Sequence, residues 1–342
     1  MMRDFEYAQD IIDMVSAIQA ISPKGHIEEF RNHAGIGKDD FKIASPEFSG
    51  TLAAVDGSNA MVAESGSFAV AAVRSALAGY EGGRRAFLST SGLRIVRIGP
   101  SPVSEAYEQL YLDCFGFPPD AVLETEDRAR AAAVFRDTLE YFAAFSAIDR
   151  LGEGDVLLLD GSLRVGHGSH FPVMVRLLQH AGMQGVAVAA VAKSTSATWG
   201  GGRPLVPTVA MLAREMGIGE PWYLRLPVEV LDHQPHREWQ RGSLFVSRLH
   251  ARAPRAFKVE IPGGIDDEWV ERIFAACGAY ADDGRVPGYP FPLLEAHRTS
   301  AIREDTVEQV QQDIMKGMNR LDLAWHDYHE LFGDYHDELD RY

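Results

Sequence analysis

Apolar and polar residues follow two rhythms along this chain. Residues 4 to 20, "DFEYAQDIIDMVSAIQA", set apolar side chains at helical spacing and predict an N-terminal helix. A polar connection punctuated by Gly and Pro runs to about residue 48. The stretches "TLAAVD" (51 to 56), "SFAVAAVRSALAGY" (67 to 80) and "LRIVRIG" (93 to 99) then read as strands, with "EGGRR" as turn material between the last two. Connections this short favour an antiparallel meander.

The rhythm changes at "TEDRARAAAVFRDTLEYFAAFSAIDRL" (125 to 151), a long helix with acids in its first turn, where the helix dipole favours them. It leads into the strand "DVLLLD" (155 to 160), a helix around 170 to 182, the near-continuous apolar strand "GVAVAAVAKS" (185 to 194) and a helix around 204 to 217. Strands this apolar are buried on both faces. Three strands followed by alternating helices and strands describe an α/β protein: a ribonuclease H-like mixed sheet with flanking helices, plus N- and C-terminal helical extensions. The expected division is a helical extension at 1–47, a central domain at 48–304 and an acidic C-terminal helix at 305–342.

Composition narrows the class. With 46% apolar residues in 342, the chain can bury a substantial core. Its apolar runs fall short of a spanning helix and its start shows no signal-peptide pattern, so a cytoplasmic location without membrane contact is expected. The two cysteines, Cys114 and Cys277, make no C-x-x-C pair and read as core residues. A net charge of −16 argues against a generic basic coat for nucleic acid. The charge is uneven, however. Residues 304–342 hold eleven acids against three Lys and Arg, whereas 236–258 hold six Lys and Arg, among them Arg255 and Lys258, against Glu238 alone. Charge alone fits either a basic groove on an acidic exterior or two solvated faces of opposite sign.

One triplet occurs twice in the same context. "TLAAVDGSN" and "DVLLLDGSL" each end an apolar run in Asp-Gly-Ser, at Asp56 and at Asp160. A D-G-S triplet after a strand is common turn chemistry. If the two strands lie parallel and adjacent, both carboxylates emerge at one sheet edge, where open α/β sheets place ligands. Converging hard oxygens suit Mn²⁺ or Mg²⁺, ions that support phosphodiester hydrolysis. On the preceding helix Glu140 sits among Leu139, Phe142, Ala143 and Phe145, with Asp137 three residues earlier as the competing acid. Lys193 follows the most apolar strand, either as a solvent exit or as a cation for a phosphate. His297 follows "PLLEA" as either a structural histidine or a metal and water ligand.

The segments "VDGSNA", "LEYFAAFSAIDRLGEGDVLLLDGSL", "AVAKSTSATW", "AFKVEIP" and "GYPFPLLEAHRTSAIRED" occur in that order, and over about residues 48–304 the chain resembles the NurA nuclease family. The resemblance implies a ribonuclease H-like, manganese-dependent DNA nuclease that digests 5′-to-3′ and cuts single strands in DNA end resection. It also implies a homodimer that works with a hexameric HerA-type translocase. It matches Asp56, Glu140, Asp160, Lys193 and His297 to catalytic positions, with the three acids and His297 as metal ligands. Lys193, Arg255, Lys258 and Arg298 become candidate DNA contacts. Lys258 stands where the family tends to carry an arginine.

Other motifs carry less. "WGGGRP" (199 to 204) has no Gly-Lys-Ser/Thr, so it is no P-loop and is expected to be a mobile loop. His326, His329 and His336 lack the H-E-x-x-H arrangement, and Trp325, Tyr328, Phe332 and Tyr335 trace one face of an amphipathic helix. A non-catalytic DNA clamp for a translocase and a small-molecule phosphohydrolase are the competing functions.

Overall fold

The structure, a computed structural model, describes residues 2–99, 103–232 and 242–321. The polar stretches 233–241 and 322–342, including the aromatic face from Trp325 to Tyr335 and the histidines 326, 329 and 336, lie outside the described residues. In chain order the elements begin with α1 (Met2–Ile21), α2 (Ile27–Ala34), β1 (Lys42–Ile43), β2 (Thr51–Glu64), β3 (Ala69–Glu81), β4 (Arg84–Thr90), β5 (Arg94–Ile98) and α3 (Val103–Phe115). Next come α4 (Arg128–Ile148), β6 (Val156–Asp160), α5 (His170–Met183), β7 (Ala187–Ala192), β8 (Thr198–Trp199), β9 (Arg203–Pro204) and α6 (Leu205–Glu215). β10 (Trp222–Leu226), β11 (Gly242–Arg248), β12 (Phe257–Pro262), α7 (Asp267–Ala279), α8 (Phe291–Ser300) and α9 (Glu304–Arg320) follow. No described helix is long and apolar enough to cross a membrane.

The chain forms two compact units, and the stretch 48–304 is shared between them. One unit is built from Gly50–Asp160, Val165–Ala187 and Pro292–Tyr342, the other from Met1–Ser49, Gly161–Arg164 and Val188–Phe291, each to the extent described. The first of these holds a mixed sheet. β2 pairs antiparallel with β3, and β3 carries β4 and β5 in succession along its other edge. β2 also pairs with β6, in parallel, from Leu52↔Val156 to Val55↔Leu159. Leu52 to Val55 and Val156 to Leu159 are all buried, as their unbroken apolar runs require. α4 covers β2 and β3 and begins after Asp127, whose carboxylate accepts the Arg130 N–H at 3.0 Å.

Three sequence expectations change here. The first strand does not stop at Asp56 but continues to Glu64, because β3 pairs with it residue by residue through Asp56↔Ala76, Gly57↔Ser75 and Ser58↔Arg74. β4 is a strand of its own, largely exposed at the edge, where its charged start "RR" masked the strand pattern. The connection before residue 48 contains α2 and β1. Ile27, Phe30, Ile36 and Phe41 from this stretch enter the core of the second unit beside Trp199, Leu205 and Trp222.

That second unit is an antiparallel sheet in the order β1-β10-β11-β12-β7. Its strands alternate as a two-sided sheet must. Trp222, Leu224 and Leu226 join the core with α2 and α6, while Tyr223 turns the other way and stacks on Phe274 of α7 at 4.0 Å between ring centroids. The glycines of "WGGGRP" form the β8–β9 hairpin turn, and the Asp232 carboxylate clasps the Gly201 and Gly202 amides at 3.0 and 2.8 Å. Cys277 is buried and Cys114 partly so; burial pushes their thiols up to about 12 and about 11.

The parallel register of β2 against β6 is anchored at its start. Asp155 accepts the Thr51 N–H at 2.7 Å and the Gly152 N–H at 2.9 Å, joining the two strands just before they pair. Replacing it leaves both amides without that acceptor, at about 1–3 kcal/mol for each one kept from water. Asp155→Ala is therefore expected to lower unfolding free energy by at least about 1 kcal/mol in urea titration.

Candidate active site

The β2–β6 ladder ends at Val55↔Leu159, so the next step in the same register sets Asp56 abreast of Asp160. Neighbours in register on parallel strands present their side chains to the same face. Asp56 is 2% exposed and Asp160 is partly buried at the end of β6, where Gly161, at φ +96°, turns the chain away.

Glu140 comes from α4 and is 9% exposed. A side chain on Gly57 would collide there: an added Cβ lies 2.7 Å from Arg136 Cγ and 3.0 Å from Glu140 Oε2. Gly57 thus serves close approach of a helix, since the strand runs straight through it. Burial drives the Glu140 carboxyl well above the usual carboxylate range, and the charges of Asp137, Asp56 and Asp160 push the same way against Arg136. Asp137, one turn earlier, is engaged by its neighbour: Arg136 Nη2 and Nε donate to its Oδ1 at 2.6 and 3.0 Å. Burial still raises Asp137, against the opposing pull of Arg136 and His167. The charges of both strand acids act on Glu140, whereas those acting on Asp137 are Arg136 and His167.

His297 reaches the site from α8. Its Nδ1 lies 2.8 Å from Asp56 Oδ2, with the ring about half exposed. α8 is held near its middle and at its C-terminal end. Glu295 accepts from the Tyr80 hydroxyl and from Arg85 Nη1, the latter at 3.1 Å. Arg74 donates to the carbonyls of Ser300, at 3.0 Å, and Ala301, while the Ser58 hydroxyl accepts the Ile302 N–H at 3.3 Å. Sequence reading missed Arg136, Arg74, Tyr80 and Glu295. No spacing rule links a strand arginine to a helix end more than two hundred residues away.

The donor set is hard oxygen, with one imidazole, and it concentrates negative charge in a buried place. Both features fit Mn²⁺ or Mg²⁺. Among the described residues no three His, Cys, Asp or Glu side chains form a ready-made metal cluster. The fit is one of charge and donor type.

Residues 50–200 match the family model of the NurA domain. The NurA nuclease from Sulfolobus solfataricus superposes with a TM-score of 0.58 at 14% identity, covering 95% of this chain and 99% of that one. Residues 50–200 thus carry the NurA domain. Ciona intestinalis endonuclease V, in complex with an inosine-containing 24mer DNA, is a weaker likeness, with a TM-score of 0.41 at 12% identity over 83% of this chain and 99% of that one. A search of curated protein sequences finds no match.

The NurA match spans Asp56, Glu140, Asp160 and Lys193, while His297 joins the acids from beyond it. Lys193 stands exposed directly after β7 in the other unit. Lys258 is in that unit too, and its ammonium pairs with Glu260 at 2.7 Å with only 13% of its side chain exposed. Glu260 in turn accepts from the Ser162 hydroxyl at 2.7 Å and the Leu163 N–H at 2.8 Å. Lys258 therefore supports the turn after Asp160 rather than offering a surface charge. Arg255 and Arg298 are exposed.

Two outcomes follow for this candidate site. Gly57→Ala forces Arg136 and Glu140 aside and is expected to destabilise the protein by about 1–3 kcal/mol in chemical denaturation. For Glu140, the folded state holds its proton more tightly than the unfolded chain, whose ordinary value is 4.5. Metal-free protein should therefore lose stability as pH rises from there through the raised folded value. Glu140→Gln is expected to melt higher than the parent at pH 7 to 8 in chelator, with the gap closing towards pH 4.5.

Proposed function

We propose that this protein is a divalent-metal-dependent DNA nuclease of the NurA family with 5′-to-3′ exonuclease and single-strand endonuclease activity, acting in DNA end resection. The observation that carries the reading is the parallel register that brings Asp56 and Asp160 abreast, with Glu140 packed over Gly57 beside them. Asp56, Glu140 and Asp160 would hold Mn²⁺ or Mg²⁺, with His297 as a further candidate ligand. A divalent cation bound there supplies Lewis acidity at the phosphate and a water of lowered pKa.

The chain's own groups do the rest. When Asp56 is ionised, His297 donates its Nδ1 proton to it, and that bond fixes both the ring and the carboxylate. The remaining ring nitrogen can then accept a proton or hold a water. Arg136 offsets part of the acids' charge and keeps Asp137 turned to itself. The exposed ammonium of Lys193 is suited to a phosphate oxygen, and Arg255 and Arg298 to the DNA backbone. With a charge of −16, unaided capture of duplex is unfavourable. That supports delivery by a HerA-type hexameric ATPase to two copies of this chain.

The test is cleavage of single-stranded DNA with Mn²⁺ by the purified protein and by Asp56→Asn and Asp160→Asn. Each variant is expected to lose at least about a hundredfold in rate with an unchanged circular dichroism spectrum. Full activity in either would overturn the assignment. A second reading, a non-catalytic DNA clamp of a translocase complex, draws on the lack of a ready-made metal cluster among the described residues. DNA binding by the parent protein with no Mn²⁺-stimulated cleavage would select it.

A further inference from the structure

Residues 7 to 21 of α1 are exposed or nearly so along their whole length, although the helix is rich in large apolar side chains. Tyr7, Ile11, Met14, Ile18 and Ile21 recur at steps of four and three, the spacing of a coiled-coil seam, and are 46% to 68% exposed. Ile12 and Val15 flank the seam and are equally open to solvent, at 57% each. An apolar stripe of this size on an exposed helix marks a contact surface. Seven large side chains at on the order of 100 Å² each offer roughly 700 Å², close to the ~800 Å² that each partner contributes to a standard interface.

Charge decides the occupant. Within α1 the ionisable side chains are Arg3, Asp4, Glu6, Tyr7, Asp10 and Asp13, and residues 14 to 21 carry none. The segment 322–342 holds seven acids against Arg341, so it would meet the acidic half of α1 with like charge. A second α1 carries the matching seam on an uncharged half, and a two-fold axis makes one patch serve both sides. Parallel pairing would set Asp10 and Asp13 against their own copies. Antiparallel pairing lays the acidic half of each helix along the uncharged half of the other.

We propose that α1 pairs antiparallel with α1 of a second copy of this chain, Tyr7 packing near Ile18 of the partner subunit and Ile11 near Met14 of the partner subunit. This rests on the two-copy reading given above and names its surface. In that register the two Tyr7 residues are eleven positions apart along the helices, roughly 16 Å at 1.5 Å per residue.

The full chain is tested by sedimentation equilibrium and by cysteine cross-linking. The parent is expected at twice its 37.7 kDa, and the double variant Ile11→Glu, Ile18→Glu at the single mass with unchanged circular dichroism. A double variant that remains at twice the mass would overturn the α1 seam while leaving two copies in place. A parent that is monomeric at tens of micromolar would overturn both. For orientation, Tyr7→Cys chains mixed with Ile18→Cys chains are expected to cross-link under mild oxidation well above the parent background set by Cys114 and Cys277, and Tyr7→Cys chains alone are not. Efficient cross-linking of Tyr7→Cys to itself would overturn the antiparallel arrangement. Nuclease activity enters none of these readouts, so they stand apart from the catalytic assignment.

Discussion

Like charge held together is the condition on which this molecule turns. Glu140 is buried where the fields of Asp137, Asp56 and Asp160 all act on it, and Arg136 answers only part of them. Two like charges about 4 Å apart at an effective dielectric of ~20 repel by about 4 kcal/mol, a large share of the ~5–15 kcal/mol that keeps a domain folded. Such a site is tolerable when a carboxyl keeps its proton or when a cation enters. The raised affinity of Glu140 for a proton is the metal-free form of the same demand that hard oxygen donors would place on a divalent ion.

The surrounding elements are arranged to resist that repulsion. Asp155 fastens the start of the β2–β6 ladder, so register is set before the strands reach their acids. A slip of one residue would turn Asp56 to the other face. α8 is fixed to the sheet by Glu295 near its middle and by Arg74 and Ser58 at its C-terminal end, which sets the backbone from which His297 reaches Asp56. Arg74 and Ser58 are cross-strand partners on β3 and β2, so the clamp on α8 and the strand bearing Asp56 are one piece.

Much of this was legible in the chain. Buried strands announced themselves as apolar runs, the recurring Asp-Gly-Ser triplet singled out Asp56 and Asp160, and the long helix offered Glu140 with Asp137 as the competing acid, the resemblance favouring Glu140. The local elements β4, α2 and β1 were not legible, because their patterns are short or mostly exposed and are settled by the strands and helices they pack against. The partner of Lys258 was equally hidden. A lysine two residues before a glutamate on a strand reads as a same-face pair only after the strand is known to be covered on that face.

The two triplets finally do different work with the same letters. At Asp160 the strand ends, Gly161 takes a left-handed conformation, and Ser162 gives its hydroxyl proton to Glu260, whose other oxygen holds Lys258. At Asp56 the strand continues, Gly57 clears space for Glu140 and Arg136, and Ser58 receives the amide after α8. A turn-forming glycine and a space-clearing glycine cannot be told apart from the triplet, since both answer to a missing side chain. What distinguishes them is the neighbour: β3 pairs with Gly57 and Ser58 and keeps β2 extended, whereas the β2–β6 ladder has already ended before Gly161. The shared aspartate is what both settings have in common, and the parallel register is what brings the two together at one strand end as a candidate site.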